Sequence, residues 1–285
     1  MSSTPAIAFR KMNGLGNDFV VIDARHRTLA ISDEQARAIA DRKSGVGCDQ
    51  LIVMEKSESA DVTMRIWNAE GGEVESCGNA SRCIADILMT ETGQDSATIM
   101  TKGGFLAAKK AGDLLVTIDQ GKPKFAWDQI PLSEKFADTR HIELSVGPLG
   151  APLMHSPSVV NVGNPHCIFW VKDLAVVNLG KVGPMLEYHP LFPQRTNVEM
   201  AQVVARDHVI VNVWERGAGL TQACGTAACA VMAAGHRIRI IDAKCRVTLP
   251  GGDLFMAVNE DNGHVLMTGP VVYEYESVLP VGLLA

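Results

Sequence analysis

Two stretches of the sequence decide the fold, VTMRIWNAEGGEVESCGN at residues 62–79 and VIVNVWERGAGLTQACGT at residues 209–226. In each stretch a β-rich run ends in tryptophan, a loop with glycines follows, and a Cys-Gly pair precedes a helical pattern. The second stretch lies 147 positions after the first, so Cys224-Gly225 falls opposite Cys77-Gly78 and the tryptophans also coincide. Since the chain has only four tryptophans, this ungapped match indicates an internal duplication.

The same register matches polar side chains elsewhere in the chain. These carry amides or a carboxylate, in the pairs Asn17 and Asn164, Gln50 and Asn197, and Asn68 and Glu215. One such residue alone is more often a turn or cap residue. Their shared register with the two cysteines makes a common site the better interpretation.

A helical pattern follows each Cys-Gly pair. It predicts one helix over about 79–92 that stops near Gly93, and another over about 226–234 that stops near Gly235, because glycine commonly ends a helix. After the helices the register slips by a residue or more, as surface loops allow.

The predicted fold class is α+β, with two pseudo-symmetric domains that arise from the duplication. Each domain is expected to be a curved, mostly antiparallel sheet or barrel around a central helix, with β-rich segments at 97–118 and 246–267. We predict an N-terminal domain of residues 1–122 plus 272–285 and a C-terminal domain of residues 123–271. The length of 285 residues also favours two domains over one.

Composition excludes several classes of function. The net charge is −6 and no basic block is present, which argues against a nucleic-acid partner. No apolar run approaches the ~20 residues that span a bilayer, and the first eleven residues lack the apolar core of a signal peptide. We therefore expect a cytoplasmic protein. Seven cysteines, an odd number, indicate thiols in a reducing compartment.

Both cysteines of the duplicated stretches fall where a helix begins. The unpaired N–H groups and the macrodipole of a helix N-terminus favour an anion, so we expect the pKa of Cys77 and Cys224 to be lowered toward neutrality. The other cysteines are read as packing or structural residues: Cys48, Cys83, Cys167, Cys229 and Cys245.

Two equivalent domains with one activated thiol each suggest an active site in the cleft between them. Inverting a Cα–H centre needs a base on one face and an acid on the other, and a thiolate and a thiol related by a pseudo-twofold axis meet that geometry. The amides can hold the carboxylate and ammonium groups of an amino acid, and the N–H groups of Gly78 and Gly225 add anion donors.

Two other motifs are weak. Gly14-Leu-Gly16-Asn17 begins like a dinucleotide fingerprint but leads into a strand pattern and lacks the remaining glycine. A zinc site is imaginable from the cysteines of the two helices and His166, but their spacing matches none of the common short pairs. We expect no metal and no cofactor.

Four segments resemble diaminopimelate epimerases: KMNGLGNDF at 11–19, NAEGGEVESCGN at 68–79, GNPH at 163–166 and ERGAGLTQACGT at 215–226. The resemblance covers essentially the whole chain. It implies cofactor-independent interconversion of LL- and meso-2,6-diaminopimelate, on the route to lysine and peptidoglycan, by a homodimer. The chain departs from the usual family pattern at Ala80 and Ala227, where glycine is common.

The resemblance also implies roles for individual residues. Cys77 is the expected proton donor and Cys224 the expected proton acceptor, and His166 and Glu215 are expected to tune the thiols. The expected substrate-binding residues are Asn17, Gln50, Asn68, Gly78, Asn79, Asn164, Asn197, Glu215, Arg216, Gly225 and Thr226.

Two alternatives remain open. The first is another two-cysteine isomerase or lyase of the same fold, such as a proline or hydroxyproline racemase. That family usually has His after its first Cys-Gly, where this chain has Asn79, and Pro before its second Cys, where this chain has Ala223. The second is a thiol-redox or binding protein without turnover, although the usual Cys-x-x-Cys signature is absent.

Overall fold

The computed structural model describes residues 6–148, 150–280 and 282–283. The chain falls into two compact units, unit 1 with Met1–Ile118 and Gly269–Ala285, and unit 2 with Asp119–Thr268. The outermost residues of the predicted N-terminal domain, 1–5 and 284–285, lie outside the described part of the chain.

Unit 1 is built on one sheet. Its strands are β1 (Ala8–Gly14), β2 (Asn17–Asp23), β3 (Gln50–Glu55), β4 (Val62–Asn68), β5 (Glu73–Val74), β6 (Ser96–Thr101), β7 (Gly104–Gly112), β8 (Leu115–Asp119) and, from the C-terminal segment, β19 (Val272–Val278). The pairs β19–β1, β1–β2, β3–β4, β4–β5 and β6–β7 are antiparallel, and β2–β3 and β4–β6 are parallel.

Two helices cover the faces of this sheet. Helix α2 (Gly78–Thr92) packs on β1 as well as on β6 and β7, strands far apart in the sheet order, so the sheet curves around it. Helix α1 (Asp33–Ala40) packs on β3 and β4 from the opposite face. It begins with a capping box in which Ser32 and Gln35 exchange hydrogen bonds of 2.9 and 3.2 Å, the signature that satisfies orphan N–H groups.

Unit 2 repeats this arrangement. Its strands are β9 (Ser145–Val146), β10 (Met154–His155), β11 (Ser158–Asn161), β12 (Pro165–Trp170), β13 (Asn197–Ala205), β14 (His208–Glu215), β15 (Gly219–Leu220), β16 (Lys244–Leu249), β17 (Gly252–Asn259) and β18 (His264–Pro270). Helix α4 (Gly225–Arg237) packs on β11 at one end and β17 near the other, with β12, β13 and β16 between. Helix α3 (Leu179–Glu187) covers the opposite face at β13 and β14.

Strand registers confirm the duplication. In unit 1 the parallel pair β2–β3 places Phe19 opposite Gln50, and in unit 2 the pair β12–β13 places His166 opposite Asn197, each residue 147 positions on. Beyond the helices the register slips by one residue: Ile99 of β6 lies opposite Val62 in unit 1, whereas Val247, 148 positions after Ile99, lies opposite Val209 in unit 2. The predicted α+β class, with two related units whose strands curve around a central helix, is confirmed.

One predicted helix end is right and the other is wrong. Helix α2 ends at Gly93, which adopts φ 69° in the left-handed region and donates its N–H to the Met89 carbonyl. Helix α4 runs past Gly235 to Arg237. Gly235 serves close packing instead, because a Cβ there would lie 2.8 Å from Ile241 Cδ1 and 2.9 Å from Trp170 Cη2.

Candidate active site

Cys77 is the N-cap residue of α2. Its backbone is extended (φ −146°, ψ 110°), and its Sγ accepts a hydrogen bond of 3.5 Å from the N–H of Ala80. The thiol also donates to Asn17 Oδ1 at 3.7 Å. The half-buried sulfur therefore lies between a helix N–H donor and an amide oxygen.

The orientation of the Asn17 amide is fixed from its other end. Leu15 and Gly16, with φ of 57° and 79°, form the two-residue turn between β1 and β2, the geometry expected of a type I′ hairpin. Asn17 follows this turn, and its Nδ2 donates to Asp49 Oδ2 at 3.1 Å. Because the nitrogen is held by a carboxylate, the amide oxygen faces Cys77.

Asp49 belongs to a charged cluster below this amide. Arg42 donates to Asp49 at 2.8 Å and to Asp18 at 2.7 Å, and Lys11 donates to Asp18 at 2.5 Å. Burial raises the pKa of Asp18, but hydrogen bonds from Arg42 and Lys11 outweigh it and hold the pKa of Asp18 below its ordinary value. Asp18 thus stays ionised, and Arg42, which bonds both Asp18 and Asp49, keeps the Asp49 carboxylate in place.

Three other predicted contacts of unit 1 lie in hydrogen-bonded pairs. Asn79 is 3% exposed, and its amide bonds Asn17 at 3.4 Å and the buried Arg82 at 3.0 Å. Gln50 Nε2 donates to Asn68 Oδ1 at 2.8 Å. Gln50 Oε1 is buried without a partner among the described residues, which leaves an acceptor that a ligand ammonium group can use.

Cys224 is the N-cap residue of α4 with nearly the same backbone (φ −135°, ψ 110°). It is buried, with 5% of the residue exposed, and its Sγ lies 3.4 Å from the Thr226 hydroxyl. The expectation of a lowered pKa is wrong for this thiol. Burial, followed by the Glu215 carboxylate, raises the pKa of Cys224 well above its ordinary value, and the Thr226 hydrogen bond opposes this only in part.

A chain of side chains runs from Thr226 into the interior of unit 2. Asn164 Nδ2 donates to Thr226 Oγ1 at 3.5 Å, and Asn164 Oδ1 lies 2.8 Å from His166 Nε2. His166 Nδ1 lies 2.6 Å from Glu199 Oε1. The structure thus brings together Cys224, Thr226, Asn164 and His166, all predicted from the sequence, and adds Glu199, which was not.

The remaining predicted residues of unit 2 shape the loop before Cys224. Asn197, 2% exposed, donates to the Pro165 carbonyl at 2.9 Å and accepts from the Arg216 N–H at 2.9 Å, so its amide is used internally. The Arg216 guanidinium donates to the Gln194 carbonyl at 3.0 Å. Glu215 accepts from the Thr221 hydroxyl at 2.5 Å.

Gly78 and Gly225 are the first residues of their helices, where backbone N–H groups point out of the helix. Some residues that hold the site residues through hydrogen bonds were not predicted from the sequence. They are Asp49, Arg82, Glu187, Glu199 and Thr221. Glu187 accepts from the Gly217 N–H at 3.0 Å and from Trp214 Nε1 at 2.8 Å, and so holds the second glycine loop. A carboxylate inside an apolar run was the available signal for Glu199.

The other cysteines pack in the interior, as predicted. Cys48, Cys83, Cys167, Cys229 and Cys245 are all buried. Burial raises the pKa of Cys48 and Cys245 to about 11 and that of Cys83 to about 12. Cys48, Cys83 and Cys245 therefore stay protonated at neutral pH, where a thiol is a poor nucleophile.

In the described part of the chain no three His, Cys, Asp or Glu side chains cluster in a way that could hold a metal ion. Among the described residues, no helix has the length and apolar character needed to cross a bilayer.

Comparison with known proteins assigns the family. A sequence model described as diaminopimelate epimerase matches residues 9–126 and 158–274. The chain belongs to this family. It is 47% identical over 281 residues to the diaminopimelate epimerase of Afipia carboxidovorans, covering 98% of this chain and 97% of that one. It is 48% identical over 286 residues to that of a Methylobacterium species, covering 97% and 96%.

Solved structures share the fold at much lower identity. A hydroxyproline epimerase from Agrobacterium vitis superposes with a TM-score of 0.69 at 13% identity, covering 99% of this chain and 94% of that one. A predicted epimerase from Pseudomonas aeruginosa gives 0.68 at 18% identity, covering 98% and 100%. These likenesses show that the chain shares its fold with these two proteins.

Proposed function

We propose that this protein interconverts LL- and meso-2,6-diaminopimelate by moving protons at one Cα. The observation that carries the proposal is the matched pair of thiols, Cys77 and Cys224, each capping a central helix of a duplicated unit. The family match supports the substrate.

In the proposed reaction one sulfur, as thiolate, removes the Cα proton, and the electron pair stays on the carbon and its carboxylate. The other sulfur, as thiol, then delivers its proton to the opposite face, so that the configuration inverts and the numbers of thiols and thiolates are unchanged. The mechanism requires both thiols to reach the same carbon.

The two amides beside the sulfurs support different roles. Asn17 presents its oxygen to Cys77, which favours the protonated thiol and the predicted role of Cys77 as donor. Asn164 presents its nitrogen to Thr226, whose hydroxyl can then donate to Cys224 and so favours the thiolate of the predicted acceptor.

The raised pKa of Cys224 must fall before this thiol can act as the base. Glu215 raises that pKa after burial, and the substrate carries an ammonium group beside the reacting carbon. A positive charge near Glu215 offsets the carboxylate and lowers the pKa of the neighbouring thiol. Substrate binding itself therefore prepares the base.

We propose that the substrate is held by the predicted contacts of both units. The buried acceptor of Gln50 and the exposed amide of Asn68 suit an ammonium group, and the guanidinium of Arg216 and the helix N–H groups of Gly78 and Gly225 suit a carboxylate. Glu215 and Thr226 complete the proposed set. Asn79, Asn164 and Asn197, whose amides are already hydrogen-bonded within the protein, are proposed to lie against the substrate while they position the residues around it. No cofactor is required, since both proton transfers use side chains.

The decisive experiment is incubation in D₂O with a panel of amino acids, followed by NMR. We expect deuterium at Cα of diaminopimelate and none at Cα of proline, lysine or alanine. Exchange with proline but not with diaminopimelate would overturn the proposed substrate and favour the racemase alternative.

We further propose a cytoplasmic homodimer in which each unit corresponds to one epimerase domain. All seven residues of β19 are exposed, among them Val272, Tyr273, Tyr275 and Val278. Exposed tyrosines are enriched in protein–protein interfaces, and these side chains support association of two copies.

A further inference from the structure

Unit 2 contains a buried ionisable pair, His166 and Glu199. His166 is hydrogen-bonded to Asn164, one of the proposed substrate contacts, and Glu199 lies behind His166. His166 and Glu199 are both 0% exposed, and their Nδ1 and Oε1 atoms are 2.6 Å apart. The second oxygen of Glu199, Oε2, is buried with no partner among the described residues. Only His166 can therefore compensate a charge on this carboxylate.

The need for neutrality fixes where the protons of this pair lie. A net charge in such a site is strongly unfavourable, so the pair holds either imidazolium with carboxylate or neutral imidazole with carboxylic acid. In both arrangements one proton lies between Nδ1 and Glu199, and Nε2 carries the other. His166 Nε2 is then always a donor.

The direction of each following hydrogen bond is set by the one before it. A donor at Nε2 requires the oxygen of Asn164 to face it, at 2.8 Å. The Asn164 nitrogen then donates to Thr226 Oγ1 at 3.5 Å. Since this oxygen is occupied as an acceptor, the Thr226 proton is available to the Cys224 sulfur at 3.4 Å.

We propose that Glu199 is a positioning residue for the reaction, which acts through His166, Asn164 and Thr226 so that a hydroxyl proton points at the Cys224 sulfur. Its acidic group is essential because an amide in its place could either donate to Nδ1 or accept from it, which would allow either tautomer of His166 and hence either orientation of the Asn164 amide. The inference rests on the proposed role of Cys224 as acid and base.

Unit 1 shows how to remove this pair without damaging the core. The positions that match His166 and Glu199 in the 147-residue register are Phe19 and Ile52, and both are 0% exposed. Replacing a buried ion pair by apolar residues of similar volume is often neutral or stabilising. The double variant His166→Phe/Glu199→Ile therefore copies a packing that the same fold already uses.

Other charged groups near Cys224 must stay constant in the test. Within unit 2 the titratable side chains that act on it are Glu215 and Glu199, with His166 and Cys167 beside Glu199. Because the His166–Glu199 pair is neutral as a whole, its replacement leaves the net charge around the sulfur unchanged.

The experiment measures alkylation of Cys224 by iodoacetamide as a function of pH, with peptide mass spectrometry to separate it from Cys77. In the double variant we expect alkylation of Cys224 at one mildly alkaline pH to slow by about 10-fold, the scale of a lost hydrogen bond to a charged group. Its pH profile should shift upward and kcat should fall by a similar factor. Alkylation of Cys77 should not change and is the internal control.

A folded double variant whose Cys224 profile superimposes on that of the wild type overturns the proposal. If that variant does not fold, Glu199→Gln decides, because it keeps the shape of the side chain. The charge of Glu199 by itself raises the pKa of Cys224, so loss of that charge alone would shift the Cys224 profile downward. The proposal requires an upward shift, and an unchanged or downward-shifted profile overturns it. Alkylation needs no substrate, so a wild-type enzyme inactive on diaminopimelate would refute the proposed function and not this inference.

Discussion

In unit 1 an asparagine turns its oxygen toward a cysteine, and in unit 2 the matching asparagine turns its nitrogen toward the cysteine side. The backbones of the two sites are nearly the same, with each cysteine as an extended N-cap residue. What differs is the group that holds the far end of the amide, Asp49 for Asn17 and His166 for Asn164. A duplicated site can thus acquire opposite hydrogen-bond directions through one different partner of the amide in each half.

The surroundings of the two sulfurs differ as well. Cys77 is half-buried, whereas Cys224 is 5% exposed and lies near Glu215, at the position that Asn68 occupies in unit 1. The same duplicated frame therefore gives one thiol a half-buried position beside an amide oxygen and the other a buried position beside a carboxylate.

The largest effect should come from removing either sulfur. Cys77→Ala and Cys224→Ala should each lower turnover of diaminopimelate by at least ~10²-fold, the usual scale for a positioned acid or base. Steady-state epimerisation measures this. Cys83→Ala and Cys229→Ala are the matched controls from the same two helices, and they should change thermal stability more than rate. Near-normal epimerisation by Cys77→Ala would show that only one of the two duplicated cysteines is needed, and it would contradict the two-thiol mechanism.

A smaller effect should follow from removing the carboxylate beside Cys224. The raised pKa keeps this thiol protonated through neutral pH, so its alkylation should still be rising with pH where an ordinary thiol has levelled off. Glu215→Gln removes the second largest cause of the raised pKa, and alkylation of Cys224 near neutral pH should become faster by up to ~10-fold, which corresponds to one pKa unit.

The readout is again mass spectrometry of the Cys224 peptide, with Cys77 in the same sample as reference. Epimerisation should fall in this variant, because Glu215 is also a proposed substrate contact. Slower alkylation of Cys224 in Glu215→Gln would show that the carboxylate favours the thiolate and would reverse the comparison between the two sulfurs.

The smallest effects should come from substituting the glycines near the C-terminal ends of the two central helices, and these effects are on stability. Gly235→Ala forces a Cβ into Ile241 and Trp170 and should lower the free energy of unfolding by about 1–3 kcal/mol. Gly93→Ala meets no atom within 4 Å but places alanine in the left-handed region, which costs about 1 kcal/mol. Urea unfolding measures both. Equal losses would mean that the two glycines have the same role.

Much of this fold follows from the sequence because its repeat is ungapped across the site. The strands before each cysteine and both central helices were predicted, since alternation and Cys-Gly spacing recur in both halves. Helices α1 and α3 were not predicted. The capping-box residues Ser32 and Gln35 signalled α1, but the helix has only eight residues, and α3 contains Pro184 within its span, which weakens a helical pattern.

Of the site itself, the sequence predicts the two cysteines and the amides around them, but not the carboxylates that hold those amides or hold the histidine partner of one of them. The cysteines and amides share a register, which a sequence displays directly. Asp49 and Glu199 have no such mark, because their matching positions, Thr196 and Ile52, carry different chemistry. The pKa of Cys224 depends on how deeply the thiol is buried and on the Glu215 carboxylate. The burial of a side chain is set by tertiary packing, so it cannot be predicted from the position of Cys224 at a helix N-terminus.

The division of the chain has a consequence for biosynthesis. Strand β1 pairs with β2 on one side and with β19 on the other, and β19 leaves the ribosome only after all of unit 2. Domains generally fold as units, the N-terminal one first, while synthesis continues. Here unit 2 is one continuous segment, Asp119–Thr268, that can fold as soon as it has left the ribosome. Until β19 is synthesised, the edge of β1 that pairs with β19 has unpaired backbone groups. The half of the enzyme that is translated first is the half completed last.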